Sequence, residues 1–298
     1  MSTLRLAVIQ MQSNADARDE NVAKACGYID EVAAEKPDLI VLPEFFNIEY
    51  VFQFRDYDYI DRAERADGPT ITAMREKARE HATTICATIF EEEGPGVYFD
   101  TAFMIGPDGE IFGKYRKTHP AAVQSLEKIY FRAGSVFPVW EVKGMKVGVV
   151  ICYDHCFPET ARCAAVNGAE LVLGPFAAPR FPTWDELMIT RAWENGVYMA
   201  PTNKVGLEGE WIFGGRSLLV DPFGEIVGQA SEEADDTFVR EISRERVYAA
   251  RRRWPMLRDR RPEAYAPLTS TEEAARGLFT GAGGRPNEVA GPVAAPTG

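Results

Sequence analysis

The chain alternates short, nearly all-apolar runs with segments whose apolar residues recur at helical spacing. Leu4 to Gln10 is a short β-rich run. From Asn21 to Glu35, Val22, Cys26, Ile29 and Val32/Ala33 fall on one helical face. Asp38-Leu39-Ile40-Val41-Leu42 has the length of a strand and almost no polar side chain, as a strand covered on both faces requires. It ends at Pro43-Glu44. The layout then repeats. Pro69 takes the first position of a helix that runs to His81, and Thr84 to Phe90 is again β-rich. Phe99–Ile105 and Ile111–Tyr115 flank Gly106-Pro107-Asp108-Gly109, which predicts a hairpin.

The second half has the same grammar. Lys146 to Ile151 is a buried-strand run that ends at Cys152. A helix is predicted over Glu159 to Asn167 with Gly168 as its left-handed cap, then a strand over Leu171 to Leu173. Thr183 to Asn195 reads as a helix closed by Gly196, and Val197 to Ala200 as a strand. Asp221-Pro222-Phe223-Gly224, between Ser217–Val220 and Ile226–Gln229, repeats the earlier turn chemistry and hints at an internal echo. Helices alternating with buried runs predict an α/β chain in which helices face two sheets. No linker interrupts residues 1–266, so one domain is expected there. Residues 267–298 turn to Ala, Gly, Pro, Thr and Ser, the composition of an arm or disordered tail.

Composition narrows the function classes. The 298 residues carry a formal net charge of −12, which disfavours nucleic acid or an anionic membrane as the main partner. The basic runs Arg251-Arg252-Arg253 and Arg258, Arg260 and Arg261 oppose this, and are read as a solvated or interface surface. No apolar stretch approaches the roughly 20 residues that span a bilayer, and the start does not read as a signal peptide. Five cysteines, Cys26, Cys86, Cys152, Cys156 and Cys163, are an odd number without a disulfide spacing, so a reduced, cytoplasmic protein is expected.

Candidate chemistry sits where buried runs end. Glu44 follows DLIVLP, Cys152 follows KVGVVI, and Lys117 follows the strand IFGKYR. Strand ends of α/β folds are where active sites collect. A thiol is a poor nucleophile until a base or a nearby cation activates it. Glu44 can take that proton and return it to a leaving amine. Lys117 can stabilise the oxygen of a tetrahedral intermediate, together with a backbone N–H beside Cys152. Each residue also has a plain reading: a solvated strand end, a surface lysine, a small core cysteine.

Taken together, the three segments resemble the nitrilase superfamily of carbon–nitrogen hydrolases over about residues 4 to 266. LPEFF is similar to the family's base segment, GKYRKTH to its lysine segment, and GVVICYDHCFPE to its nucleophile segment. The resemblance implies a four-layer α-β-β-α sandwich with two mixed sheets. It gives Glu44 the role of base, Lys117 that of oxyanion partner, Cys152 that of nucleophile, and the Tyr153 N–H a place in the oxyanion hole. LEKIYFRAGS places Glu127 where the carbamoyl amidases carry a second glutamate, which would orient Lys117 and the substrate. Tyr153-Asp154, NKVG at Asn203 to Gly206, RAWENGVY and WPMLRDRRPEAY look like the amidase and carbamoylase side, including N-carbamoyl-β-alanine and N-carbamoylputrescine amidases. His155 and Cys156 depart from the arginine that related carbamoyl-amino-acid hydrolases place there for a carboxylate, a role left to Arg180. Tyr50, Phe52 and Trp184 are candidate pocket residues.

The resemblance implies a linear amide or ureido substrate, a covalent Cys152 intermediate, no metal or organic cofactor, and a homo-oligomer built through helix faces. The other readings are an aliphatic or aryl amidase, a partner-binding scaffold, a metal site at Cys152, His155, Cys156 and Cys163, and a redox pair at Cys152 and Cys156. An activated Cys152 is expected to alkylate fast at neutral pH.

Overall fold

A computed structural model of the protein describes residues 2–269, and the apolar runs decide its architecture. The first half runs β1 (Thr3–Gln10), α1 (Arg18–Ala33), β2 (Leu39–Glu44), α2 (Pro69–His81), β3 (Thr84–Gly94), β4 (Val97–Ile105) and β5 (Ile111–Arg116). After the one-turn helix α3 (Glu127–Tyr130), the second half runs β6 (Val139–Val142), β7 (Met145–Val149), α4 (Pro158–Val166), β8 (Leu171–Pro175), α5 (Trp184–Asn195) and β9 (Tyr198–Thr202). A two-stranded excursion follows, β10 (Val205–Glu208) and β11 (Trp211–Gly214), then β12 (Leu218–Val220) and β13 (Ile226–Gln229). β14 (Asp236–Ser243) and α6 (Arg244–Arg253) complete a unit that extends to Pro255.

Two six-stranded mixed sheets result, ordered β14-β1-β2-β3-β4-β5 and β6-β7-β8-β9-β12-β13. Read in that direction, each has the same pairings: antiparallel, parallel, parallel, antiparallel, antiparallel. The two similar turns, at 106–109 and 221–224, therefore occupy equivalent hairpins, β4–β5 and β12–β13. The echo in the sequence corresponds to an echo in topology.

Alternation along the strands builds the layers. Ala7, Ile9, Ile40, Leu42, Ile85 and Ala87 pack under α1 and α2 with Ala25, Ile29, Ile71, Met74 and Ala78. Leu6, Val8, Leu39 and Val41 point the other way and are fully buried, where β1 and β2 meet β8 and β9 of the second sheet. α4 and α5 cover the outer face of that sheet. This is the α-β-β-α sandwich that the resemblance implies.

Helix punctuation follows local chemistry. α2 begins at Pro69 and ends against Ala82, in the left-handed region at φ 50°. Gly196 closes α5 at φ 55°, the conformation for which glycine costs least. Arg251, in the basic run read as a surface, is half-buried. It donates to Ala169 O at 2.6 Å and Gly196 O at 3.1 Å, pinning α6 to the chain just past α4 and α5. β6, β10, β11, β14 and α6 are elements that the sequence reading leaves unassigned.

A second unit begins at Met256. Its described part, through Thr269, holds a short 3-10 turn at Pro262–Ala264 and the one-turn helix α7 (Ala266–Thr269). Arg258 pairs there with Asp259, and Arg261 with Glu263. The tail expected at 267–298 lies almost wholly outside the described residues. Among those described, no helix is long and apolar enough to cross a membrane.

Candidate active site

Glu44 owes its position to an irregularity in β2. Val41 pairs with Cys86, but Glu44 pairs with Thr88, so three steps on β2 match two on β3. The extra residue is a bulge, and it contains Pro43, which has no N–H to give to a ladder. Strict alternation would send Glu44 to the helix face with Ile40 and Leu42. The bulge turns it to the inter-sheet face with Val41. The following residue, Phe45, takes φ 52° to leave the strand.

Lys117 needs no such device. Tyr115 pairs with Ala102, and the Lys117 N–H donates to Asp100 O at 2.9 Å, which extends the β4–β5 ladder by one step. Tyr115 and Lys117 share the inter-sheet face, while Arg116 points to the opposite one and binds Glu91. Cys152 follows β7 after Val150 and Ile151. It opens a short 3-10 turn, Cys152–Cys156, with φ 45°, a strained value for a residue with a Cβ.

These elements bring the predicted residues together in the buried interior. Lys117 Nζ lies 2.7 Å from Glu44 Oε1, 2.7 Å from Glu127 Oε2 and 3.3 Å from Asp100 Oδ2, and all four side chains are fully buried. Glu127 also accepts from Tyr50 Oη at 2.6 Å and from the Ala121 N–H at 2.8 Å. Cys152 Sγ sits 4.0 Å from Ala177 O. Glu44, Asp100 and Glu127 present oxygens within 4.8 Å of one another, a spacing that can hold a metal ion. The Lys117 ammonium occupies that position as the cation. The other metal reading fares differently: Cys156 is exposed, whereas Cys152 is buried and directed at Ala177 O.

The electrostatics follow from burial. Burial alone would strip the proton from Lys117, but Glu127 and Glu44 overcome it and hold the ammonium pKa well above the ordinary lysine value. Burial raises the Glu127 carboxyl, with Lys117 opposing. Burial and then the charge of Glu44 push the Cys152 thiol well above its usual range, against Lys117. Both influences disfavour the thiolate, so attack by this thiol calls for a base that takes its proton. Glu44 is the carboxylate whose charge bears most on that thiol.

Contacts behind these side chains fix the pieces. Asp154, two residues past Cys152, is fully buried and accepts from Tyr115 Oη at 2.6 Å and the His119 N–H at 2.8 Å. This clasp ties the lysine segment to the nucleophile turn. Asn203 bonds both backbone groups of Ala178 and so holds the wall that faces the thiol. His155 is buried beside Phe176 and gives its Nδ1–H to Cys152 O at 3.2 Å. A Cβ on Gly174 would lie 2.9 Å from its ring. It packs into the core.

The predicted pocket residues divide. Tyr50 is part of the buried cluster, and Phe52 packs with Phe45, Phe90 and Phe131 behind it. Trp184 and Arg180 line a cavity of about 350 Å³ with Asp185, Asn203, Arg216 and Glu232. There Trp184 donates to Arg216 O and Arg180 pairs with Glu232. Tyr153 follows Cys152 in the 3-10 turn, whose leading N–H groups point away from any preceding helical turn. Asp100 is the buried member that the sequence reading does not single out. Its only sequence signal is a charge inside the otherwise apolar and aromatic run of β4.

The comparisons agree with this geometry. The family model for carbon-nitrogen hydrolases matches residues 5–252. The chain is 35% identical to a nitrilase of Pyrococcus abyssi, over 88% of this chain and 99% of that one. It is 34% identical to a citrullinase of Francisella tularensis (89% and 98%) and 32% identical to an N-carbamoylputrescine amidase of Arabidopsis thaliana (85% and 91%). The fold matches a carbon-nitrogen hydrolase from Helicobacter pylori with TM-score 0.85 and 27% identity, over 91% and 99% of the two chains. A mutant amidase from Nesterenkonia sp. AN1 matches with TM-score 0.78 and 27% identity, over 89% and 96%. That structure shows covalent addition of the acetamide moiety of fluoroacetamide at its active site cysteine. With motif order, fold and buried cluster in agreement, the chain belongs to the carbon–nitrogen hydrolases of the nitrilase superfamily, on the N-carbamoyl amidase-like side, and is a hydrolase of non-peptide carbon–nitrogen bonds.

Proposed function

We propose that the protein hydrolyses an N-carbamoyl (ureido) compound or a related linear amide through a covalent Cys152 intermediate. The observation that carries the reading is the buried meeting of Glu44 and Glu127 around the Lys117 ammonium, on the inter-sheet face that Cys152 enters. Cys152 attacks the carbonyl carbon while Glu44 takes the thiol proton. Lys117 and the Tyr153 N–H hold the developing oxyanion. Glu44 passes its proton to the departing ammonia or amine. Water, activated by Glu44, then cleaves the thioester or thiocarbamate and restores the thiol. Glu127, fixed by Tyr50 and Ala121, keeps Lys117 in place.

The ureido class is favoured by relatives named citrullinase and N-carbamoylputrescine amidase. The amidase from Nesterenkonia, whose structures include complexes with acrylamide and butyramide, favours a plain amide as the second reading. The cysteines are all unbridged, which supports a reducing cytoplasm. We also propose a homo-oligomer.

Ammonia release decides between the classes. The panel is N-carbamoylputrescine, citrulline, N-carbamoyl-β-alanine, N-carbamoyl-D-amino acids, simple amides and nitriles, with Cys152→Ala as the blank. Turnover of a ureido compound, lost in Cys152→Ala with an unchanged circular dichroism spectrum, is the expected outcome. Turnover of plain amides alone moves the protein to the amidase reading. Activity that survives in Cys152→Ala refutes the mechanism.

A further inference from the structure

Three buried carboxylates surround one ammonium, and one of the three makes no hydrogen bond to it. Glu44 and Glu127 each accept a hydrogen from Lys117 Nζ. Asp100 Oδ2 lies 3.3 Å from the same nitrogen without receiving one, and both Asp100 oxygens are unpartnered. The free oxygen of Glu44, Oε2, is unpartnered too. Two carboxylate oxygens cannot bond to each other, because each only accepts. A single proton between them turns one into a donor and satisfies both.

We propose that Asp100 is a positioning residue that works as a carboxylic acid, its proton bridging to Glu44 Oε2 so that Lys117 faces two carboxylate charges instead of three. Placement supports the pairing. Asp100 lies two residues from Ala102, which pairs with Thr88, the partner of Glu44, so β2, β3 and β4 deliver both groups to one face. The other charged groups around Asp100 are Lys117 from the end of β5 and Glu127 from α3. Glu127 already has three donors, whereas Asp100 has none, so the proton belongs on Asp100. Burial, followed by the charge of Glu44, raises the Asp100 carboxyl well above the ordinary aspartate range, against the pull of Lys117.

The consequence is mechanical. The bridge fixes the rotation of the Glu44 carboxylate, leaving Oε1 on Lys117 and the group aligned to receive the thiol proton. This inference rests on Glu44 being the base, and its test must separate the two ideas. Infrared spectroscopy of the intact enzyme reads the proton without any substrate. A carbonyl stretch of a protonated carboxylic acid is expected in wild type, shifted by ¹³C-labelled aspartate and absent from Asp100→Asn. The rate at which iodoacetamide inactivates the enzyme at Cys152 then reads how well Glu44 serves the thiol, whatever the natural substrate is. Asp100→Asn keeps a neutral donor toward Glu44 and is expected to react and turn over close to wild type. Asp100→Ala is expected to slow kcat by roughly 10- to 100-fold with little change in KM, the effect of a misaligned base. If Asp100→Ala does not fold, the infrared band and Asp100→Asn still decide. An enzyme without the acid band, in which Asp100→Asn loses as much as Asp100→Ala, would show an ionised Asp100 acting as a third counter-charge and overturn the proposal. Loss of alkylation in Glu44→Gln marks Glu44 as the base. If alkylation there is unaffected, the base assignment fails, independently of the infrared result.

Discussion

At the scale of single residues, burial sets the direction in which Cys152, Asp100 and Glu127 shift, whereas at Lys117 the neighbouring carboxylates outweigh it. His155 shows it in a group that takes no part in the reaction. Its desolvation drives the imidazole pKa down to about 4, so the folded protein keeps it neutral while the unfolded chain protonates near its ordinary value. The unfolded state then binds more protons between the two values, and stability falls as pH drops from about 6.5 toward 4. The loss amounts to about 2 kcal/mol by pH 5. Urea unfolding at pH 7.5 and pH 5 should show wild type losing more than His155→Asn, which keeps a donor toward Cys152 O. Equal losses would assign the acid sensitivity to other groups. The same physics explains what the sequence could and could not reveal. Glu44, Lys117 and Cys152 are legible because each ends or follows an apolar run within a recognisable segment. Asp100 lies far from them in sequence, in mid-strand, and reaches them only through the register of β2, β3 and β4. The upward push on the Cys152 thiol is hidden as well, since it depends on how deep the cluster sits.

At the scale of elements, the regular pieces read well and the irregular ones did not. α2 follows the predicted bounds because Pro69 and the turn after His81 are strong local signals. The β2 bulge is a pairing fact and appears in sequence only as Pro43. The β10–β11 hairpin is short and carries exposed Leu207 and Ile212 beside buried Val205 and Phe213, so no simple alternation marks it. Yet it braces the site. Glu208 forms a buried pair with Lys204 at 2.7 Å and also accepts from the N–H groups of Ser13 and Tyr50. Lys204 donates in addition to Ile48 O. The backbone of Tyr50, whose hydroxyl holds Glu127, is thereby fastened to a hairpin more than 150 residues away. Lys204→Ala leaves the Glu208 carboxylate buried without its counter-charge, and should cost about 3–5 kcal/mol. The double variant Lys204→Met, Glu208→Gln should lose less than Lys204→Ala, because no unpaired charge remains. Chemical denaturation of the two proteins tests this, and a double variant weaker than the single one would mean that the hydrogen bonds of Glu208 outweigh its charge.

At the scale of the whole unit from Ser2 to Pro255, the two halves repeat one pairing scheme but supply different chemistry. Glu44, Asp100 and Lys117 come from the first half, Cys152 and its turn from the second, and α3 between them carries Glu127. Neither half can assemble the group alone, so the site depends on the face-to-face packing of the sheets. The outer face of the second sheet is less complete. Trp193 on α5 is 40% exposed, Trp254 just after α6 is 47%, and Tyr248 on α6 is 46%; the two tryptophan rings lie 6.1 Å apart. Val166, the last residue of α4, is 50% exposed. Arg251 pins α6 beside the ends of α4 and α5, which gathers these side chains on one face. Such large apolar groups in solvent favour burial against another surface, at about 25 cal/mol per Å² of apolar area removed from water. The formal charge of −12 opposes nonspecific association, so a self-contact is expected to be specific, and this apolar face is the proposed place for it. Sedimentation velocity should therefore find a dimer or larger assembly. Adding Trp193→Glu and Trp254→Glu should shift it to monomer, since two buried carboxylates without partners are costly. A wild-type protein that stays monomeric across the micromolar range would remove the assembly, and a charged double variant that remains dimeric would move the interface to another face.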